Sequence, residues 1–136
     1  MARYRVRFFF DAGSRLCLWR ADASTSAEFG HPPDPELLPV SAATRDMLAD
    51  LCAEYDTSVN WDYPPDPGPW RQDDCDRFNA RVESALRRLR DELEPEWDIV
   101  EEFEPVSPDP DLDRYLLDPK AFRRVAGPNP NTRAPD

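Results

Sequence analysis

The sequence predicts a small α+β domain: a three-stranded sheet of order 2-1-3, chain order β-β-α-α-β, two helices packed on one face, and a Pro-rich C-terminal extension containing short helices. Three observations predict it. Residues 4–10 place Tyr4, Val6, Phe8 and Phe10 on one side of an extended chain and Arg5, Arg7 and Phe9 on the other. Cys75, Phe78, Val82, Leu86, Leu89 and Leu93 recur at spacings of three and four, the period of a helix buried along one stripe. A second alternating run, Trp97 to Phe103, follows once Pro95 has stopped that helix.

The remaining elements fit between these. Asp11-Ala-Gly-Ser14 is turn chemistry, and Arg15–Arg20 reads as the return strand of a hairpin. Residues 21–40 form a loop, with a short helical turn expected where Asp34 precedes Pro35. Ser41 caps a helix over about 42–55, on which Met47, Leu48, Leu51, Cys52 and Tyr55 share a face. A second loop, 56–70, is rich in proline and aromatic residues. Asp73, Asp74 and Asp76 suit the positive end of the next helix. Two antiparallel helices return the chain so that the third strand lies parallel to the first, which sets Arg5 and Arg7 beside Asp98 and Glu102. Asp109-Pro110 and Asp118-Pro119 mark short helices near 110–117 and 119–126. The expected organisation is thus one domain over 1–104, an acidic Pro-rich extension over 105–127 and a disordered tail over 128–136.

Charge is unevenly placed. Residues 1–90 hold 12 Arg against 15 acidic residues; residues 91–119 hold 12 acidic residues against Arg114 alone. The net charge of −11 equals the balance of that second segment. Such a field attracts a basic protein partner and opposes nucleic acid and anionic membrane. No export signal or membrane span is read, so Cys17, Cys52 and Cys75 are expected as reduced thiols in a cytoplasmic protein. The single lysine, Lys120, beside abundant Arg, Ala, Pro and Asp suggests a GC-rich, bacterial coding sequence.

No catalytic, metal or cofactor site is assigned. The cysteines lack ligand spacing, and Asp109, Asp111 and Asp113 lack the glycine and terminal glutamate of a calcium loop. His31, alone in a Gly-His-Pro-Pro loop, is a weak base candidate. The best binding residues are Trp61, Asp62, Tyr63 and Trp70 in the aromatic loop, against the simpler reading that these rings fold back onto the helix ends. Glu101, Glu102 and Glu104, in a ribbon with Glu92, Glu94 and Glu96, would steer a basic partner. Phe9 with Leu16 and Leu18, or with Cys17 and Trp19, would leave an apolar patch on the outer sheet face. The chain's own Tyr115, Leu116, Leu117 and Phe122, a second copy in a homodimer, or a partner would cover it.

In general character, though through no single motif, the chain resembles the small acidic proteins found beside toxins in bacterial genomes. The resemblance implies a non-enzymatic protein-binding module, an immunity or antitoxin-like inhibitor of a basic partner. Two alternatives stand beside it: a small-ligand or enzymatic domain using the 21–40 and 56–70 loops, and a structural subunit self-associating through the sheet face.

Overall fold

A computed structural model describes residues 3–21 and 38–122. The Asp34-Pro35 turn, the His31 loop, residues 123–126 of the second expected short helix and the 128–136 tail lie outside the described residues; the described start of that segment, 119–121, is a turn and not helix. The elements are β1 (Tyr4–Phe8), β2 (Leu18–Arg20), α1 (Ala42–Asp56), α2 (Gln72–Leu93), β3 (Trp97–Glu101) and α3 (Leu112–Leu117).

The α+β class and the sheet order β2-β1-β3 are as the sequence predicts, with β1 antiparallel to β2 and parallel to β3. Strand β1 sits in the middle and uses its backbone in both directions. Phe9 N–H bonds Cys17 C=O at 3.1 Å on one side; on the other, Tyr4 N–H bonds Glu96 C=O at 3.0 Å. Its side chains sort by parity: Tyr4, Val6 and Phe8 are buried, whereas Arg5 and Arg7 point out. Across the parallel pair Arg5 Nε meets Asp98 Oδ2 at 2.9 Å, and Arg7 Nη2 meets Glu102 Oε1 at 2.7 Å. The outward charges match, so the register leaves the apolar face to the helices.

Helix α1 begins where Ser41 Oγ accepts from Thr44 N–H at 3.1 Å. Helix α2 begins where Asp74 Oδ2 accepts from Arg71 N–H at 2.9 Å, a bond that with the Arg77 guanidinium holds the Asp74 carboxyl below its usual range. The stripe expected on α2 is the one buried: Cys75, Phe78, Val82, Leu86, Leu89 and Leu93. Phe78 lies at its centre, with its ring 5.3 Å from Phe10, 5.8 Å from Tyr55 and 5.1 Å from Trp70.

The hairpin differs from expectation. The strand foreseen at 15–20 is reduced to Leu18–Arg20, because the turn extends further than its Asp-Ala-Gly-Ser sequence implies. Gly13 and then Arg15 adopt positive φ, 85° and 61°, and Ser14 Oγ accepts from Leu16 N–H at 3.1 Å. The longer turn leaves residues 16 and 17 outside the strand, and of the two registers open to the sequence Leu18–Arg20 takes the one with Trp19 outward. Leu18 turns into the core and is 6% exposed, and Cys17 is buried beside Cys52 on α1. Leu16 is half-buried along a crevice against α1 with Leu38 and Val40. Leu16 and Leu18 are therefore not part of an outer patch. Trp19 alone joins Phe9 there, its ring stacked on Phe9 at 4.9 Å and its indole N–H donated to Phe9 C=O at 3.0 Å.

The extension also departs from expectation. Helix α3 starts at Leu112, two residues beyond Pro110, since Asp109 Oδ1 turns back to accept from Asp111 N–H at 2.8 Å. The segment is fastened on the helix side: Asn79 exchanges two 2.9 Å bonds with the Val106 backbone, and Arg71 pairs with Asp113 at 2.6 Å. Leu116 and Leu117 are 52% and 86% exposed, and Tyr115 packs edge-on to Phe122 at 5.3 Å.

Candidate protein-binding face

The aromatic loop grows out of the C-terminus of α1, where the last carbonyls of a helix lack partners. Thr57 Oγ1 donates to Glu54 C=O at 2.7 Å, Ser58 Oγ to Tyr55 C=O at 2.6 Å, and Trp61 Nε1 to Asp56 C=O at 2.7 Å. Three side chains of the loop thus close the helix that precedes it. Asn60 then organises the tip: its Oδ1 accepts from Asp62 N–H at 3.0 Å and Tyr63 N–H at 3.3 Å, and its Nδ2 reaches Pro67 C=O at 3.2 Å. Gly68 passes so close to the strand of loop before it that a Cβ there would stand 1.8 Å from Ser58 O. The hairpin turn braces the loop from outside, with Gly13 N–H on Asp56 Oδ1 at 2.9 Å, and a Cβ at Gly13 would stand 3.6 Å from the Trp61 ring.

This frame separates the aromatic candidates. Trp70 is half-buried, donates to Thr57 Oγ1 at 2.9 Å and packs on Phe78, so it completes the core. Trp61 and Tyr63 stand out, 57% and 55% exposed, with Asp62 exposed between them. Two large rings held in water by a hydrogen-bonded loop are what an interface anchor requires, because little ordering remains to be done on binding. Asn60 and Gly68, which set the loop's shape, do not stand out in the sequence; the Pro67-Gly68 dipeptide is the one sign of them.

The acidic ribbon divides in the same way. Glu92 lies against the start of α1, where bonds from the Thr44 hydroxyl and then the Ser41 amide hold its carboxyl below the usual range. Glu102 is engaged by Arg7, which lowers the carboxyl and raises the guanidinium. Glu101 faces Arg90 at 3.3 Å. Glu94, Glu96 and Glu104 are exposed and carry no ion pair among the described residues. Among those residues, no helix is long and apolar enough to cross a membrane.

Fold and surface define a small α+β domain with a braced aromatic loop on an acidic body. A family model described as Serratia CdiI immunity protein-like matches residues 5–101, from the second residue of β1 to the end of β3. The match covers most of the chain, which belongs to this family. Membership implies a protein partner, a toxin. No curated protein matches the chain.

Proposed function

We propose that this chain is a non-enzymatic, cytoplasmic immunity-type inhibitor that binds a basic toxin through the aromatic loop, with the unpaired acids steering the encounter. The observation that carries the reading is the exposure of Trp61 and Tyr63 on a loop tied to α1 and to the hairpin turn. Family membership supplies the class of partner. The excess of acid over base makes a basic toxin surface the complementary one. Glu94, Glu96 and Glu104 contribute most of the steering, with Glu101 and Glu102 adding less because Arg90 and Arg7 already engage them.

Association kinetics with an inactivated form of the toxin partner that family membership implies test this. Changing Glu94, Glu96 and Glu104 together to Gln is expected to slow association about tenfold at low salt and to flatten its salt dependence. An association rate and salt slope identical to those of the parent chain would refute electrostatic steering. Absence of any complex would refute the toxin-binding reading.

A further inference from the structure

At the carboxyl ends of β1 and β3 the sheet and α1 leave an open groove of about 500 Å³, walled by Phe9, Phe10, Tyr55 and Phe103 and edged by Glu102 and Glu104. We propose that this groove is a socket for an arginine side chain of the partner. The proposal rests on the toxin-binding reading for the source of the arginine, but not for the chemistry of the socket.

The walls are fixed before anything binds. Phe10 stacks on Tyr55 at 5.2 Å and meets Phe103 edge-on at 5.7 Å; Phe8, buried behind them, backs both rings at 5.4 Å and 6.5 Å. The groove already shows how it treats a guanidinium. Arg7, on its rim, lies over the Phe9 ring at 5.1 Å while its Nε and Nη2 reach the Glu102 carboxylate. That pair is closed on itself. Glu104, across the groove, offers a second carboxylate beside aromatic faces and has no ion pair among the described residues. Asp11 and Asp56 add negative potential at the Tyr55 end, where burial first and then these two charges push the phenol up.

Charge selects the occupant. Arg7 and Glu102 neutralise each other, so an anionic group meets the net charge of Glu104, Asp11 and Asp56 and is repelled. An apolar side chain fills the walls but leaves Glu104 partly desolvated without a partner. An ammonium satisfies Glu104 yet keeps its water and stacks poorly. A guanidinium does both, since it is planar, weakly hydrated and able to lie on a ring while donating at its edge.

A titration of the full chain with agmatine, a free guanidinium on a short alkyl stem, tests the socket without the toxin. Amide shifts followed by NMR at low salt are expected to saturate and to centre on Tyr55, Phe103, Glu104 and Val106. Glu104→Gln is expected to weaken agmatine about three- to fivefold, and n-butylammonium to bind at least about threefold more weakly than agmatine. Shifts that fail to saturate, that spread equally to Glu94 and Glu96, or that survive Glu104→Gln unchanged overturn the proposal. With the inactivated toxin, Glu104→Lys is expected to reduce affinity at least about tenfold. If Trp61→Ala weakens the toxin complex while Glu104→Lys leaves it within about twofold, the socket falls and toxin binding stands. If the toxin does not bind the parent chain, toxin binding falls and the agmatine titration alone judges the socket.

Discussion

The carboxylate of Glu92, in the last turn of α2, receives the hydroxyl of Thr44 in the first turn of α1. The same carboxylate takes the Ser41 amide, and Arg88 of α2 donates to the Thr44 hydroxyl from the other side at 3.2 Å. The start of one helix is thereby sealed by the end of the other. Thr44 is fully buried, and its hydroxyl finds its partners in this cluster.

Glu92→Ala is expected to lower stability by about 1 kcal/mol, roughly 4 °C in Tm, because it removes a cap supplied from outside the helix. The bonded carboxyl titrates below its ordinary value of 4.5, so its stabilisation is complete above that value and fades as the pH falls through the lower, folded value. Urea midpoints of the parent and Glu92→Gln should therefore differ at about pH 7 and converge near pH 3. A gap that persists undiminished at the acidic end would contradict this assignment.

Gly68→Ala is expected to cost about 2 kcal/mol and to distort the loop, since the new methyl cannot coexist with the Ser58 carbonyl 1.8 Å away. Both contacts are backbone, so no side-chain rotation relieves them. Thermal unfolding gives the size of the loss, and the difference in tryptophan emission between chains with Trp61 and with Trp61→Phe reports whether the loop has moved. A fully stable variant with unchanged emission would disprove the close approach.

Trp61 and Trp70 should respond in opposite ways. Trp61→Ala removes a largely exposed ring and one bond to the Asp56 carbonyl, and is expected to cost about 0.5–1 kcal/mol of stability while weakening toxin binding by about 2 kcal/mol, some 30-fold. Trp70→Ala removes packing on Phe78 and is expected to lower stability by about 2 kcal/mol. Denaturation and calorimetric binding on the same two proteins separate the effects. The reverse pattern would exchange the roles assigned to the two rings.

Glu102→Gln is expected to lower stability at low salt and to have little effect in about 1 M salt, because its pairing with Arg7 is solvent-exposed and screened. Its carboxyl is also held below the usual range by Arg7, so the difference from the parent is present at neutral pH and disappears on acidification. Salt-resolved denaturation checks this. An equal loss at both ionic strengths would mean that the pair acts through packing.

The parallel contact of β1 with β3 is legible in the sequence because two independent patterns agree: helix lengths that return the chain to the same end, and opposite charges at the positions that form Arg5–Asp98 and Arg7–Glu102. The hairpin is not, because a non-glycine residue with positive φ, here Arg15, carries no sign in sequence. Strand alternation alone therefore leaves two registers open, with Leu16 and Leu18 or Cys17 and Trp19 outward, and the structure buries Leu18 and Cys17 while Trp19 faces out. In the aromatic loop, sequence identifies the segment but cannot tell Trp61 from Trp70, since the distinction depends on which ring reaches Phe78. The acidity of residues 91–104 is plain in the sequence, whereas the cap on α1 joins Ser41 to a residue 51 positions away and has no local signature.

The central strand has a consequence for the order of events during synthesis. The partners joined at Arg5 and Asp98 are separated by 93 residues, and everything that shapes the aromatic loop lies between them. A nascent chain that stops short of Trp97 possesses only the hairpin of β1 and β2, a pairing too small to persist alone in water. Phe8, Phe10 and Phe78 then lack the side of the interior that Trp97, Ile99 and Phe103 supply. The first strand of this sheet is thus completed by its last, and the sheet closes only when nearly the whole matched region has emerged.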